Sequence, residues 1–499
     1  MTTPTTSQVT QPVPSARQLV APALTALVVA LASTLLLTLS GCASTNGIAP
    51  AAQKIDPTLV GLEVQQPASA AVDASWWQSF GDDTLSSLVA RALEGNPNLK
   101  VAQARLQRAQ ASADVLRSAD LPQVNGSFEA MRQRYTANGL VPPPIAGSIR
   151  ETGTLQAGAS WELDFFGRNR SALDAAIGAQ HAAEADAQAA RVLLASNVAR
   201  GYLQLARLIE QREVAKASLQ QREGVLSLIR QRVDAGLDTK VELRQGEGAL
   251  PETRTQLEAL DEQITLARHA LAALTAQPPK ALDALTPQLA SIKPQALPGV
   301  VPADLLGRRA DISAARWRVE AATSDVKVAR AQFYPNVNLT AFVGLSSIGL
   351  DRLLKSSSEQ YGAGPAIRLP IFDAGRLRAN LRGKSADLDA AVESYNATLI
   401  DAVRDVADQI ASLQSIARQQ TEQAAAREAA ESAFDIAVQR YKAGLGTYLV
   451  VLNAETGVLA QRRAAADLKA RALDTQVALI RSLGGGYADA APARVAAGH

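Results

Sequence analysis

Alternation with a period of two marks four segments of the chain. Leu155, Ala157, Ala159, Trp161, Leu163 and Phe165 are apolar, and the residues between them are Gln156, Gly158, Ser160, Glu162 and Asp164. Val337, Leu339, Ala341, Val343 and Leu345 repeat the pattern, as do Tyr361, Ala363, Pro365, Ile367, Leu369 and Ile371. Val124, Gly126, Phe128 and Ala130 give a shorter version. Side chains alternate across a strand, so each segment predicts a strand with one apolar and one polar face. The strands come in two pairs, which predicts hairpins over 121–166 and 335–372. Pro142-Pro143-Pro144 and Ser356-Ser357-Ser358 fall in their loops.

The rest of the chain reads as helix. Residues 168–234 contain no Pro, and neither do residues 376–442. Each stretch has 67 residues, which as a helix would run about 100 Å. A Gly-centred turn follows each, then a return helix over 240–276 or 447–483, the first of which Pro251 should kink. Shorter lead helices are expected over 98–119 and 303–332, with Pro302 and Asp304 suited to the first turn of the second. A return helix and a lead helix together are about as long as one long helix and could pair with it end to end. Helices of this length suit a tube or stalk rather than a compact globule.

The chain is also written twice. Gln231-Arg232-Val233-Asp234-Ala235-Gly236-Leu237-Asp238-Thr239 reappears as Gln439-Arg440-Tyr441-Lys442-Ala443-Gly444-Leu445-Gly446-Thr447, an offset of 208. Leu163, Phe166, Gly167 and Arg168 answer Leu369, Phe372, Gly375 and Arg376, and Pro122-Gln123-Val124-Asn125 answers Pro335-Asn336-Val337-Asn338. The period is too long for a solenoid and describes a duplicated domain. In a chain otherwise helical, no second sheet exists to cover four apolar strand faces, and lipid takes that place. Four strands cannot close a barrel and open edges are not tolerated in lipid. Three copies would give twelve strands.

Composition narrows the chemistry. Aromatics are 4% of the 499 residues, which suits helices packed through small side chains. With 50 Lys and Arg against 48 Asp and Glu, interspersed, no basic face is expected for nucleic acid. His181, His269 and His499 lack metal-ligand spacing, and the one Cys, Cys42, excludes an intrachain disulfide. No cofactor or metal is expected, and no nucleophile motif, phosphate loop or carboxylate pair points to an enzyme. Residues 19–40 carry no charge, follow Arg17 and end in Leu39-Ser40-Gly41-Cys42. This is the form of a secretory signal peptide over 1–41. An uncleaved inner-membrane helix is the alternative, since 22 uncharged residues can span a bilayer. The sole Cys at the boundary favours cleavage before it, and its ending resembles a bacterial lipobox, with Cys42 the lipidated residue.

The lipobox, Val301-Pro302-Ala303-Asp304-Leu305-Leu306 with Arg308-Arg309-Ala310-Asp311-Ile312, Phe333-Tyr334-Pro335, and Ile371-Phe372-Asp373-Ala374-Gly375-Arg376 together resemble the outer-membrane efflux lipoproteins of the NodT group, relatives of TolC. Ala310 departs from the Pro common there. The resemblance implies a mainly α protein with membrane β: a homotrimeric, 12-stranded transmembrane β-barrel continued by a 12-helix periplasmic α-barrel. It also implies a mixed equatorial girdle in parts of 43–96, 277–302 and 484–499. Such a protein sits in the outer membrane of a Gram-negative bacterium, held to lipid through Cys42. It serves as the exit duct for small molecules such as drugs. Its implied partners are a periplasmic adaptor and an inner-membrane transporter, usually of the resistance-nodulation-division class. Export of protein by a type I system, or of heavy metals, is the alternative within the same class.

The resemblance also proposes a periplasmic tip. Ala235, Gly236 and Leu237, with Ala443, Gly444 and Leu445, match the adaptor-contact motif, although both glycines have a second reason to be there as helix C-caps. Leu449, Val450 and Asn453 fall on the aperture positions, where relatives often carry Asp. A neutral ring would close by packing and hydrogen bonding and would be weakly cation-selective. Glu455 is the nearby acid that could substitute, and its direction is not legible from sequence.

Overall fold

The computed structural model describes residues 45–56, 72–294 and 308–487. Cys42 with its signal segment, the Val301–Leu306 part of the motif, the first residues of the helix expected from 303, and the tail from 488 lie outside them. The chain divides into two compact units. One holds Met1–Ala51, Leu116–Leu173 and Thr323–Leu388, and the other Ala52–Val115, Asp174–Ala322 and Asp389–His499. In chain order the elements are α1 (Asp83–Gly95), α2 (Pro97–Ser118), β1 (Gln123–Arg134), β2 (Ile149–Leu163), α3 (Arg168–Asp234), α4 (Lys240–Leu274), α5 (Ala310–Ala331), β3 (Asn336–Ile348), β4 (Glu359–Arg368), α6 (Arg376–Lys442) and α7 (Tyr448–Ser482).

The first unit contains one antiparallel sheet in the order β1-β2-β3-β4. Its register places like with like. Phe128 pairs with Leu155, Leu155 with Leu345, Ala157 with Val343, and Val343 with Tyr361. Four residues further along, Trp161 pairs with Leu339 and Leu339 with Pro365. The apolar residues of all four strands therefore share one face. Leu350 and Leu353 cover it only at Gly153, and most of it is bare: Val124 is 75%, Val343 62% and Tyr361 84% exposed. From Leu155 to Leu163 is eight steps, roughly 27 Å along a strand, which tilting by about 40° reduces to roughly 20 Å, close to the band of a transmembrane barrel. The opposite face carries Ser127, Gln156, Ser160, Thr340 and Gln360, with Phe342 lying across Gly362, where an added Cβ would meet its ring at 2.7 Å.

Two strands differ in length from their apolar pattern. β1 continues to Arg134 because backbone pairing with β2 does not need apolar side chains: Arg132 pairs with Glu151 and Arg134 with Ile149. β4 stops at Arg368, although alternation continues to Ile371. Pro370 supplies no N–H to a ladder, and Asp373 then turns the chain into α6 by accepting from the Gly375 and Leu377 amides at 3.0 and 2.8 Å. β1 and β4 each have one unpaired edge.

The second unit is helical. Its core gathers Trp76, Trp77 and Phe80, α1, the middle of α3 around Tyr202 and Leu205, Leu271 of α4, and Val477 and Ile480 of α7. Asp82 serves twice, capping α1 through the Leu85 amide at 3.0 Å and accepting from the Tyr202 hydroxyl at 2.7 Å. The segment after α4 returns to the same core through Leu282, Leu289 and Ile292, and the Lys293 amide bonds the Phe80 carbonyl at 3.0 Å. Residues 72–96 and 277–294 are helical or irregular, so within the described part of the expected mixed girdle the strand component is absent. Gly178 of α3 faces α5 so closely that a Cβ there would meet the Ala321 nitrogen at 3.1 Å. α4 runs through Pro251 without interruption.

Candidate functional site

Both long helices of the chain end in the same motif. Gly236 and Gly444 take positive φ, 71° and 74°. The Leu237 amide bonds the Arg232 carbonyl and the Gly236 amide that of Val233; Leu445 and Gly444 do the same with Arg440 and Tyr441. This is the Schellman pattern, and it satisfies carbonyls that the helix end would leave unpaired. A residue with a Cβ would be strained at either glycine. Ala235, Gly236, Leu237, Ala443, Gly444 and Leu445 are all exposed. Leu237 and Leu445 thus expose apolar side chains at the corresponding turns of the two halves.

Beyond the glycines the two turns differ. Thr239 begins α4 with a capping box, accepting from the Val241 amide at 3.1 Å while Glu242 accepts from the Thr239 amide at 2.9 Å. Thr447 makes no such side-chain cap. The first turn also carries an acid, Asp238, where the repeat has Gly446. Arg232 bonds Asp238 at 2.9 and 3.3 Å, donates to the Tyr441 carbonyl at 3.0 Å, and lies 4.6 Å from the centre of the Tyr441 ring. The Tyr441 hydroxyl donates to the same carboxylate. Burial alone would raise the Asp238 carboxyl, but the bonds from Arg232 and Tyr441 and the guanidinium charge outweigh it and hold it below the ordinary range. Burial, then the Asp238 bond and charge, push the Tyr441 hydroxyl well above its usual value. The α3–α4 turn is thereby tied to the end of α6.

On α7 the expected aperture residues share one side. Leu449, Val450 and Asn453 are exposed, while Tyr448, Val451, Glu455 and Val458 are buried. Glu455 therefore does not stand in for a missing acidic ring. It turns inward and meets Arg222 of α3 at 3.1 Å, with side chains 6% and 11% exposed. Arg222 also donates to the Ala249 carbonyl at 3.0 Å and to Thr253 at 2.9 Å, both on α4. Three helices meet at this guanidinium. Burial raises the Glu455 carboxyl despite the charge and hydrogen bond of Arg222, and Glu252 at the rim adds to the rise.

Sequence reading passed over both clusters. The one available signal was the break in the repeat, an acid at 238 against glycine at 446. Among the described residues no group of acids, His or Cys could hold a metal, and no helix is long and apolar enough to cross a membrane.

Comparison with known proteins agrees with this arrangement. The sequence profile of the family described as outer membrane efflux protein matches residues 88–277 and again 301–485, one match for each half of the duplication. A fusaric acid resistance protein of Burkholderia cepacia is 37% identical over 358 residues, 70% of this chain and 68% of the relative. The multidrug resistance outer membrane protein MdtQ of Escherichia coli is 33% identical over 466 residues, 91% and 97% of the two chains. The solved structure of the outer membrane protein VceC of Vibrio cholerae superimposes with a TM-score of 0.79 at 36% identity, covering 83% of this chain and 99% of that one. An apolar strand face turned outward, a duplicated helical body and these relatives lead to one conclusion: the chain belongs to the outer membrane efflux protein family, channels of the Gram-negative outer membrane built from an α-barrel and a β-barrel, and serves as an exit duct rather than an enzyme.

Proposed function

We propose that three copies of this chain form the duct, conducting small molecules passively from periplasm to exterior behind a periplasmic adaptor and an inner-membrane transporter of the resistance-nodulation-division class. The observation that carries this reading is the sheet. Its apolar residues are in register across four strands, both edges are unpaired, and closure in lipid needs further strands. The exposed Leu237 and Leu445 turns are the surface on which the adaptor docks. Drug-like cargo follows from the multidrug relatives, and weak organic acids from the fusaric acid relative.

Lipidation at Cys42 fits the same reading. The Asn46 carbonyl accepts from Arg378, just inside α6, at 3.3 Å. Asn46 thereby sits beside the junction at which β4 gives way to α6.

The aperture is closed by uncharged side chains, Leu449, Val450 and Asn453, since Glu455 is turned inward. Planar-bilayer recordings of the purified assembly test this. Heat-dissociable trimers with weak cation preference and little block by divalent cations are expected. Strong cation selectivity of the resting channel would refute the neutral gate, and a monomer without conductance would refute the duct.

A further inference from the structure

The helix starts α3 and α6 break a local rule. Acids favour the first turn of a helix and bases the last. Neither α3 nor α6 has an acid in its first turn, and both begin Arg-x-Arg: Arg168-Asn169-Arg170 and Arg376-Leu377-Arg378. The terminal amides are not the reason. Asp164 already accepts from the Arg168 and Arg170 amides at 2.7 and 2.8 Å, and Asp373 does the same for Gly375 and Leu377. Arg168 and Arg378 find partners within the chain, in Glu162 and the Asn46 carbonyl, whereas Arg170 and Arg376 leave positive charge at the wrong end of each helix without an ion pair among the described residues.

Two further observations say what that partner is. The residues just before each helix, Phe165 and Phe166 in one half, Ile371 and Phe372 in the other, are all exposed, as is Tyr334, stacked on Phe166 at 4.8 Å. Exposed aromatics at the end of an apolar strand face mark the boundary between hydrocarbon and headgroups. Behind the stacked pair lies a cavity of about 360 Å³, lined by Arg168, Arg368 and Arg376 together with two acids that are already engaged, Glu162 by Arg168 and Asp164 by the first amides of α3. Arg168 is held by Glu162 at 2.6 Å, whereas Arg170, Arg368 and Arg376 form no ion pair with another described residue. This is the end of the sheet from which the helices leave, hence the periplasmic side of the membrane.

We propose that the two junctions together bind the phosphate of an anionic phospholipid of the periplasmic leaflet, with the guanidiniums on the phosphate and the aromatics against the upper acyl chains. The proposal rests on the duct reading and adds a lipid partner to it. Planar guanidinium forks suit phosphate oxygens better than an ammonium does, and each basic residue near an anionic surface strengthens binding roughly fivefold.

The test uses the full-length assembly in detergent, exchanged against phosphatidylglycerol or phosphatidylcholine, with retained lipid counted by native mass spectrometry. At least about tenfold preference for phosphatidylglycerol is expected, falling with added salt. The triple variant R170Q/R368Q/R376Q is expected to lose that preference, and R170K/R368K/R376K to keep part of it. Equal retention of the two lipids by the natural protein overturns the proposal, even if the glutamine variant fails to assemble. So does a glutamine variant that retains phosphatidylglycerol as before. If inorganic phosphate displaces the lipid at equal concentration, the site is one for free anions and the lipid proposal is overturned. Conductance in phosphatidylcholine bilayers reads the duct separately: normal conductance with no lipid preference sinks this inference alone.

Discussion

Glu455 offers a quantitative test of how α7 is held. Its carboxylate and the Arg222 guanidinium are both nearly removed from water and lie 3.1 Å apart. Glu455→Ala removes the acceptor, leaves a void and strands a buried cation. Breaking a buried pair from one side costs about 3–5 kcal/mol. Here Arg222 keeps the Ala249 carbonyl, the Thr253 hydroxyl and the exposed Glu252 at 3.8 Å, so the low end, about 3 kcal/mol, is expected. Glu455→Gln is different. Burial outweighs the attraction of Arg222 and raises the carboxyl. Gln keeps the volume and an acceptor for the Arg222 Nε–H, so although the guanidinium loses this counter-charge its effect should be about 1 kcal/mol. The pH dependence has a definite sign. A carboxyl whose folded pKa is raised binds its proton more tightly in the folded state, so this site gains stability as pH falls from that raised value toward the unfolded 4.5. Amide hydrogen exchange over residues 448–460 measures the local opening. Protection should fall roughly a hundredfold in Glu455→Ala, which is about 3 kcal/mol, and only a few-fold in Glu455→Gln. As a control, Arg200→Gln, which breaks an exposed pair with Asp474, should cost under about 1 kcal/mol. If Glu455→Ala exchanges like the natural protein, or if Gln costs as much as Ala, the buried-pair account of α7 is wrong.

Two other outcomes are expected from the geometry. Asp238→Asn removes the charge shared by Arg232 and Tyr441 and should loosen the 234–239 turn by about 1–3 kcal/mol, read by exchange at residues 236–245. Because the Asp238 carboxyl is held below its ordinary value, its contribution is present above pH 3.8 and lost as pH falls through the lower folded value; acid sensitivity of this turn at pH 5 would contradict the assignment. Val343→Arg puts a charge in the middle of the exposed apolar face and should cost about 2–4 kcal/mol, abolishing assembly in the outer membrane. Ser346→Arg, on the other face, should leave heat-dissociable assemblies intact.

The duplication, the strand faces and the positions of both turns could be read from the chain because each rests on local rules. Alternation with period two puts Leu339 and Val343 on one side of a strand whatever the rest of the protein does. Gly236 and Gly444 are the residues that tolerate the left-handed conformation a Schellman end requires. Helix faces were another matter. Ala is spread all around α3, α6 and α7, and these helices bury small residues on several sides, so the sequence does not reveal which side of α7 Glu455 occupies. Its partner lies 233 positions away, and Tyr441 lies 203 from Asp238. Only the packing of α7 against α3 and α4 decided that Asn453 faces outward and Glu455 inward. A partner brought close by folding sets the cost of burying a charge, and no local pattern records it.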